Sequence, residues 1–142
     1  MTADEKEVVE ATLRFYAAIE DLVDGRGVKA MHEAWHHTPR ATSAHPMGDW
    51  TVGWDQISAT WDVFASFGKK GNGGSQIRDV KAYVYGDIAY TTSIFIASPT
   101  FGGAQLNCTN VLQRVDRVWK VIHHHPDKAP SMEKSLEKMA SE

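Results

Sequence analysis

The chain has 142 residues, 42% hydrophobic and 23% charged, with 5 Trp, 4 Tyr and 5 Phe, which supplies one real core and leaves no room for a two-domain cofactor enzyme. Its 18 acidic against 15 basic residues give a net charge of -3 with no long block of either sign, which argues against nucleic acid or an anionic membrane surface as the partner. The single cysteine, Cys108, has no internal bridge to make, and the acidic start MTADEKEVVE has neither the basic nor the apolar region of a secretory signal, so a cytoplasmic protein is expected.

Thr2 followed three residues later by Glu5 has the spacing of a capping box and predicts a helix from about Ala3. Val8, Thr12, Phe15, Ile19 and Leu22 recur every three or four residues, one apolar stripe that runs until Gly25. A shorter segment places Val28, Met31 and Trp35 on one face and is broken at Pro39. The stretch from Arg40 to Ala44 is weakly strand-like, and His45-Pro46-Met47-Gly48 is loop chemistry. From Trp54 to Phe67 the pattern is helical again, with Ile57, Trp61 and Phe64 on the core face and Gly68 as the stop; Lys69 to Ser75 is expected to be a flexible link.

From Ile77 to Tyr85 β-branched and aromatic residues dominate, and Gly86-Asp87 has the form of a two-residue hairpin turn. Further strands are predicted over Ile88 to Ser98, Ala104 to Val115 and Val118 to about His125, followed by a polar C-terminal tail over 126–142. Helices first and an antiparallel meander afterwards is the α+β pattern, with helices covering a strongly curved, mostly antiparallel β-sheet and a pocket between them. Residues 1–142 thus read as one domain.

Histidine is the unusual count, 7 in 142 residues. His45 sits in a loop where an imidazole with an ordinary pKa of ~6.5 can act as general acid/base, with Asp49 placed to orient it; a histidine that merely bridges loop backbone fits the same position. His123 and His125 lie two apart on a strand and project from one face, taken to be that of Trp119 and Val121, while His124 points the other way. Facing the pocket, the pair would serve with His45 as acid/base groups, polar anchors or metal ligands; the alternative is packed strand-end histidines. No HExxH motif or cysteine cluster supports a metal, and a cofactor-free site is the preferred reading. Tyr16, Trp35, Trp50 and Trp61 belong to an aromatic set that suits either a core or a ligand pocket. Cys108 alternates with Leu106 and reads as a small buried hydrophobe.

Three motifs carry a resemblance to a known family. Trp119-Lys120-Val121-Ile122-His123-His124-His125 resembles the terminal strand of SnoaL-like proteins and of the association domain of calcium/calmodulin-dependent protein kinase II. Ala41-Thr42-Ser43-Ala44-His45-Pro46-Met47-Gly48, with Gly53 and Ile57 beyond it, resembles the strand, loop and helix start of ketosteroid isomerase. Phe15-Tyr16-Ala17-Ala18 is common in the first helix of the same nuclear transport factor 2-like superfamily. The resemblance implies a cone-shaped α+β barrel with a pocket for a small apolar molecule, frequently a homodimer packed through the outer sheet face. It places His45 where the isomerases carry their aspartate base, and Phe15, with Tyr16 adjacent, where they carry an oxyanion tyrosine. It places Asn110 where the kinase association domain carries a deep arginine. Catalytic residues expected on these grounds are His45 and His123, with Tyr16, Trp35, Trp50, Trp61, Asn110 and His125 binding the substrate. The chemistry would be of isomerase, cyclase or hydrolase type. A non-catalytic ligand-binding or dimerisation module, and a metal site of His45, His123 and His125, are the alternatives.

Overall fold

The structure is a computed structural model and describes residues 1–44, 49–128 and 132–141. Helix α1 (Ala3–Val23) starts where the Thr2 side chain accepts the Glu5 backbone N–H at 3.1 Å, satisfying one of the free donors of a first helical turn. Its buried residues Val8, Ala11, Thr12, Phe15, Tyr16, Ala18 and Leu22 form the expected stripe. Helices α2 (Lys29–Ala34) and α3 (Trp54–Ser66) follow, separated by the two-residue strands β1 (Thr42–Ser43) and β2 (Thr51–Val52). Phe64 differs from expectation: it is 46% exposed, and only Ile57 and Trp61 of α3 are buried.

The meander is β3 (Gln76–Tyr85), β4 (Ile88–Ile96), β5 (Gln105–Val115) and β6 (Val118–Lys128). All four pair antiparallel, and β1 adds to β6 in parallel, giving a six-stranded sheet in the order β2-β1-β6-β5-β4-β3. The turn between β5 and β6 is made by Asp116 and Arg117, both at positive φ (50° and 69°), the backbone that suits a tight hairpin between twisted strands. Strand β4 ends two residues before Ser98, whereas β6 runs past His125 to Lys128. A further helix, α4 (Met132–Ser141), occupies the segment read from sequence as a polar tail. No described helix is long and apolar enough to cross a membrane.

A bulge in β6 decides which side chains face inward. Leu112 pairs with Val121 but Val111 pairs with His123, so Ile122 is an extra residue on its strand. One inserted residue reverses the alternation beyond it. Trp119 and Val121 are therefore buried before the bulge, and His124 and Pro126 after it. The concave side, on which α1 lies, also receives Ala89, Thr91, Ser93 and Phe95 from β4 and Cys108, Asn110 and Leu112 from β5.

The link before β3 is tied down rather than loose. Asp24 accepts the Gly71 and Gly73 backbone N–H groups at 2.9 and 3.3 Å, and Glu20 accepts from Gly74 and from the backbone N–H and hydroxyl of Ser75. Burial raises the pKa of Glu20, but the bonds from Ser75 and Gly74 outweigh it and hold the carboxyl below its ordinary value.

Candidate functional site

The concave face carries a polar row that hydrophobic packing does not require. Ser43 of β1, His124 of β6, Asn110 of β5 and Thr91 of β4 are register partners side by side across four strands, and none is more than 3% exposed. His124 Nδ1 is 2.5 Å from Asn110 Oδ1. With that oxygen as acceptor, Nδ1 carries the proton and the basic lone pair of the neutral ring sits on Nε2. Thr91 lies 3.3 Å from the Thr12 hydroxyl, which reaches the Val8 carbonyl at 2.9 Å.

Aromatic rings of the helices cover this row. Phe15 lies 4.6 Å from the His124 ring, Tyr16 6.1 Å and Trp61 6.3 Å, centroid to centroid. Ser93 donates to the Tyr16 hydroxyl at 3.4 Å. Burial, and then the neighbouring Cys108, push the Tyr16 pKa far above its ordinary 10, so the phenol stays a neutral hydrogen-bond donor. Burial also raises the Cys108 thiol, which keeps it protonated and inert as a nucleophile.

Among the described residues, three buried polar atoms here have no hydrogen-bond partner, Asn110 Nδ2, Ser43 Oγ and Trp35 Nε1, although Asn110 lies near enough to the Tyr16 hydroxyl to draw its pKa down a little. Leaving a buried donor unmade costs about 1–3 kcal/mol each, so a core selected only for stability would not keep three. A half-open cleft of about 240 Å³ between α1 and the start of β3 is lined by Leu13, Tyr16, Ala17, Glu20, Ser75, Gln76, Ile77 and Phe95. Tyr16 lines this cleft and stands between it and the His124 ring, 6.1 Å away.

Of the residues expected to form the site, Tyr16, Trp35, Trp61 and Asn110 are brought to this interior. His45 lies outside the described residues. His123, His125 and Trp50 are elsewhere. The inserted Ile122 sets His123 on the convex face with Thr42, whose hydroxyl is 2.7 Å from His123 Nδ1. His125 is exposed there, and Trp50, 56% exposed, leans on both imidazoles at 5.5 and 5.1 Å. The expectation that His123 and His125 share the side of Trp119 and Val121 is corrected accordingly, and His124, expected to point away from the pocket, is buried on the concave side. Of the others, His32 Nε2 is 2.9 Å from Asp62, and His37 stacks on Trp54 at 4.1 Å.

Burial, and then His125, hold the His123 imidazole below its ordinary pKa. The folded chain therefore gives up that proton more readily than the unfolded one. The stability it favours is fully present above the ordinary value of ~6.5 and is lost as pH falls through the lowered folded value. A proton-resolved titration should place the His123 midpoint below that of an exposed histidine, and His125→Ala should raise it only part of the way back, because burial remains. A midpoint at or above the ordinary value contradicts this placement.

The match to the family model of the SnoaL-like domain spans residues 8–126. The chain belongs to the SnoaL-like family. No curated protein sequence matches this SnoaL-like chain. Among solved structures it is similar to a protein from Streptomyces avermitilis provisionally named a dehydratase of the nuclear transport factor 2-like family. Their TM-score is 0.73 at 22% identity, over 90% of this chain and 97% of that one. A nuclear transport factor 2-like protein of unknown function from Pseudomonas putida has a TM-score of 0.72 at 17% identity, over 94% and 92% of the two chains. A provisionally named ketosteroid isomerase from Parabacteroides distasonis has 0.64 at 16% identity, over 83% and 87%. These likenesses establish the nuclear transport factor 2-like fold of the SnoaL-like chain, helices on a curved sheet.

Proposed function

We propose that the polar row on the concave face is a cofactor-independent acid/base site for a small, uncharged, largely apolar molecule bearing a carbonyl or hydroxyl oxygen. The observation that carries this reading is the Asn110 amide. Its Oδ1 holds His124 Nδ1, while its Nδ2, beside the Tyr16 hydroxyl, is buried with no hydrogen-bond partner among the described residues, so one residue fixes the tautomer of the base and offers a donor to a substrate oxygen. In this reading His124 Nε2 takes or returns the proton, and Asn110 Nδ2 and the Tyr16 hydroxyl hold the oxygen on which charge develops. Among the described residues the buried polar side chains are Thr, Ser, Asn and His only, which supports an uncharged ligand, since a buried ion without a counter-charge is costly. His45 joins as a second acid/base group on the sequence argument alone.

Isomerase-, cyclase- or hydrolase-type chemistry all fit a single proton shuttle. The provisional names of the similar proteins, a dehydratase and a ketosteroid isomerase, are proton-transfer activities too. The same reading pairs two copies through the outer sheet face, where Tyr83, Tyr85, Ile88 and Val118 are exposed. The test is turnover and binding of a panel of uncharged one- and two-ring ketones and phenols by the wild-type chain and by His124→Asn, Asn110→Leu and His45→Ala. The expected result is a loss of turnover of ~100-fold or more in His124→Asn, the usual size of a lost acid/base group, with the fold retained. Unchanged turnover in His124→Asn would sink the proposal.

A further inference from the structure

The convex face carries a second imidazole cluster that the interior site does not use. His123 and His125 stand at i and i+2 on β6 with ring centroids 6.2 Å apart. The hydroxyl of Thr42, on the neighbouring strand β1, is 2.7 Å from His123 Nδ1. That bond orients the ring and leaves Nε2 as the nitrogen free to take a metal, the arrangement in which an outer partner fixes a histidine ligand.

We propose that His123 and His125 form a two-imidazole chelate for a divalent first-row transition cation, with water completing the coordination. Two imidazoles bound at ~2.0–2.1 Å to one ion place their centroids ~4.5 Å apart in a tetragonal site and ~5 Å apart in a tetrahedral one, so about 1–2 Å of closure from 6.2 Å is needed. The exposed His125 ring supplies that movement by rotating, while Thr42 holds His123. Neutral imidazole is the ligating form, so binding releases any proton the rings carry. Among the described residues no group of three or more His, Cys, Asp or Glu converges here, so the site is open and geometrically undemanding. Affinity then follows the intrinsic order of the ions, copper(II) above nickel(II), with zinc(II) below copper(II).

Trp50 rests against both rings, so its fluorescence reports a paramagnetic ion bound between them. The test is calorimetric titration of the full-length, untagged chain with nickel(II) and copper(II), with tryptophan emission followed in parallel. One ion per chain is expected to bind with quenching. His125→Ala and His123→Asn should each weaken binding by about tenfold or more, Thr42→Val should weaken it by about tenfold through the lost orientation of His123, and His37→Gln should leave it unchanged. His125 is exposed, so its removal leaves the fold in place and the variant stays interpretable. Absence of binding at millimolar nickel(II), or equal affinity in wild type and His125→Ala, overturns the proposal. Neither result bears on the His124 site, which lies on the opposite face of the sheet.

Discussion

Replacing Phe15 by alanine is expected to lower the unfolding free energy by about 3–5 kcal/mol, the cost of emptying a fully buried aromatic site. Phe15 is completely buried, and its ring meets Tyr16 at 5.0 Å, Trp35 and Trp61 at 6.0 Å and His124 at 4.6 Å. These neighbours come from α1, α3, β6 and the end of α2, so the cavity opens where all layers meet and no single side chain can collapse into it. For a chain of this size about 3 °C is lost per kcal/mol, so the melting temperature should fall by ~10 °C or more. Equilibrium unfolding in urea measures the change directly, and a loss below about 1 kcal/mol would contradict the packing described. The same cavity adjoins the His124 ring, so the variant should also lose the geometry of the polar row.

The second large effect is expected at Gly68, immediately after α3. A Cβ built there would stand 1.9 Å from the Leu22 carbonyl oxygen, 3.1 Å from that of Ala65 and 3.2 Å from Gly25 Cα. All three obstacles are backbone, and Leu22 is itself buried, so relief requires α1 and α3 to separate. Gly68→Ala should therefore cost about 3 kcal/mol, the upper end of ordinary overpacking. Gly71 is the useful control. It has φ +95° but nothing within 4 Å of its Cβ position, so Gly71→Ala carries only the conformational penalty of about 1 kcal/mol. Urea midpoints of the two variants in one series should fall in that order; the reverse order would mean that the α1–α3 approach is wider than described.

The helices and the meander were legible because their signals are local. The Thr2 cap, the stripe from Val8 to Leu22 and the turn residues Gly86-Asp87 each act within a few residues. The interior aromatics Tyr16, Trp35 and Trp61 followed from helical spacing, and Asn110 from resemblance to a family. The histidines failed for a definable reason. Strict alternation from Trp119 and Val121 puts His123 and His125 inside, and the bulge at Ile122 inverts that assignment. Nothing local marks it, since Ile122 is an ordinary strand residue with no glycine beside it; the extra residue is fixed by pairing with β5, which is non-local. Helix α4 was missed because its segment is mostly charged and polar and its short apolar stripe finds no core, so Leu136 and Met139 stay exposed. The unpaired amide of Asn110 was likewise beyond the sequence, because an orphaned donor is a property of its surroundings.

The central claim is that His124 and Asn110 form a ligand site and not a satisfied core pair. Nitrogen-15 spectra of the histidine rings and asparagine side chains, recorded while an uncharged two-ring phenol or ketone is titrated in, test it most directly. The free chain is expected to show His124 protonated on Nδ1, and ligand is expected to shift the Asn110 Nδ2 and His124 Nε2 signals together while those of His123 and His125 stay still. Saturating ligand that leaves Asn110 and His124 unmoved, or a His124 ring protonated on Nε2 alone, would contradict it.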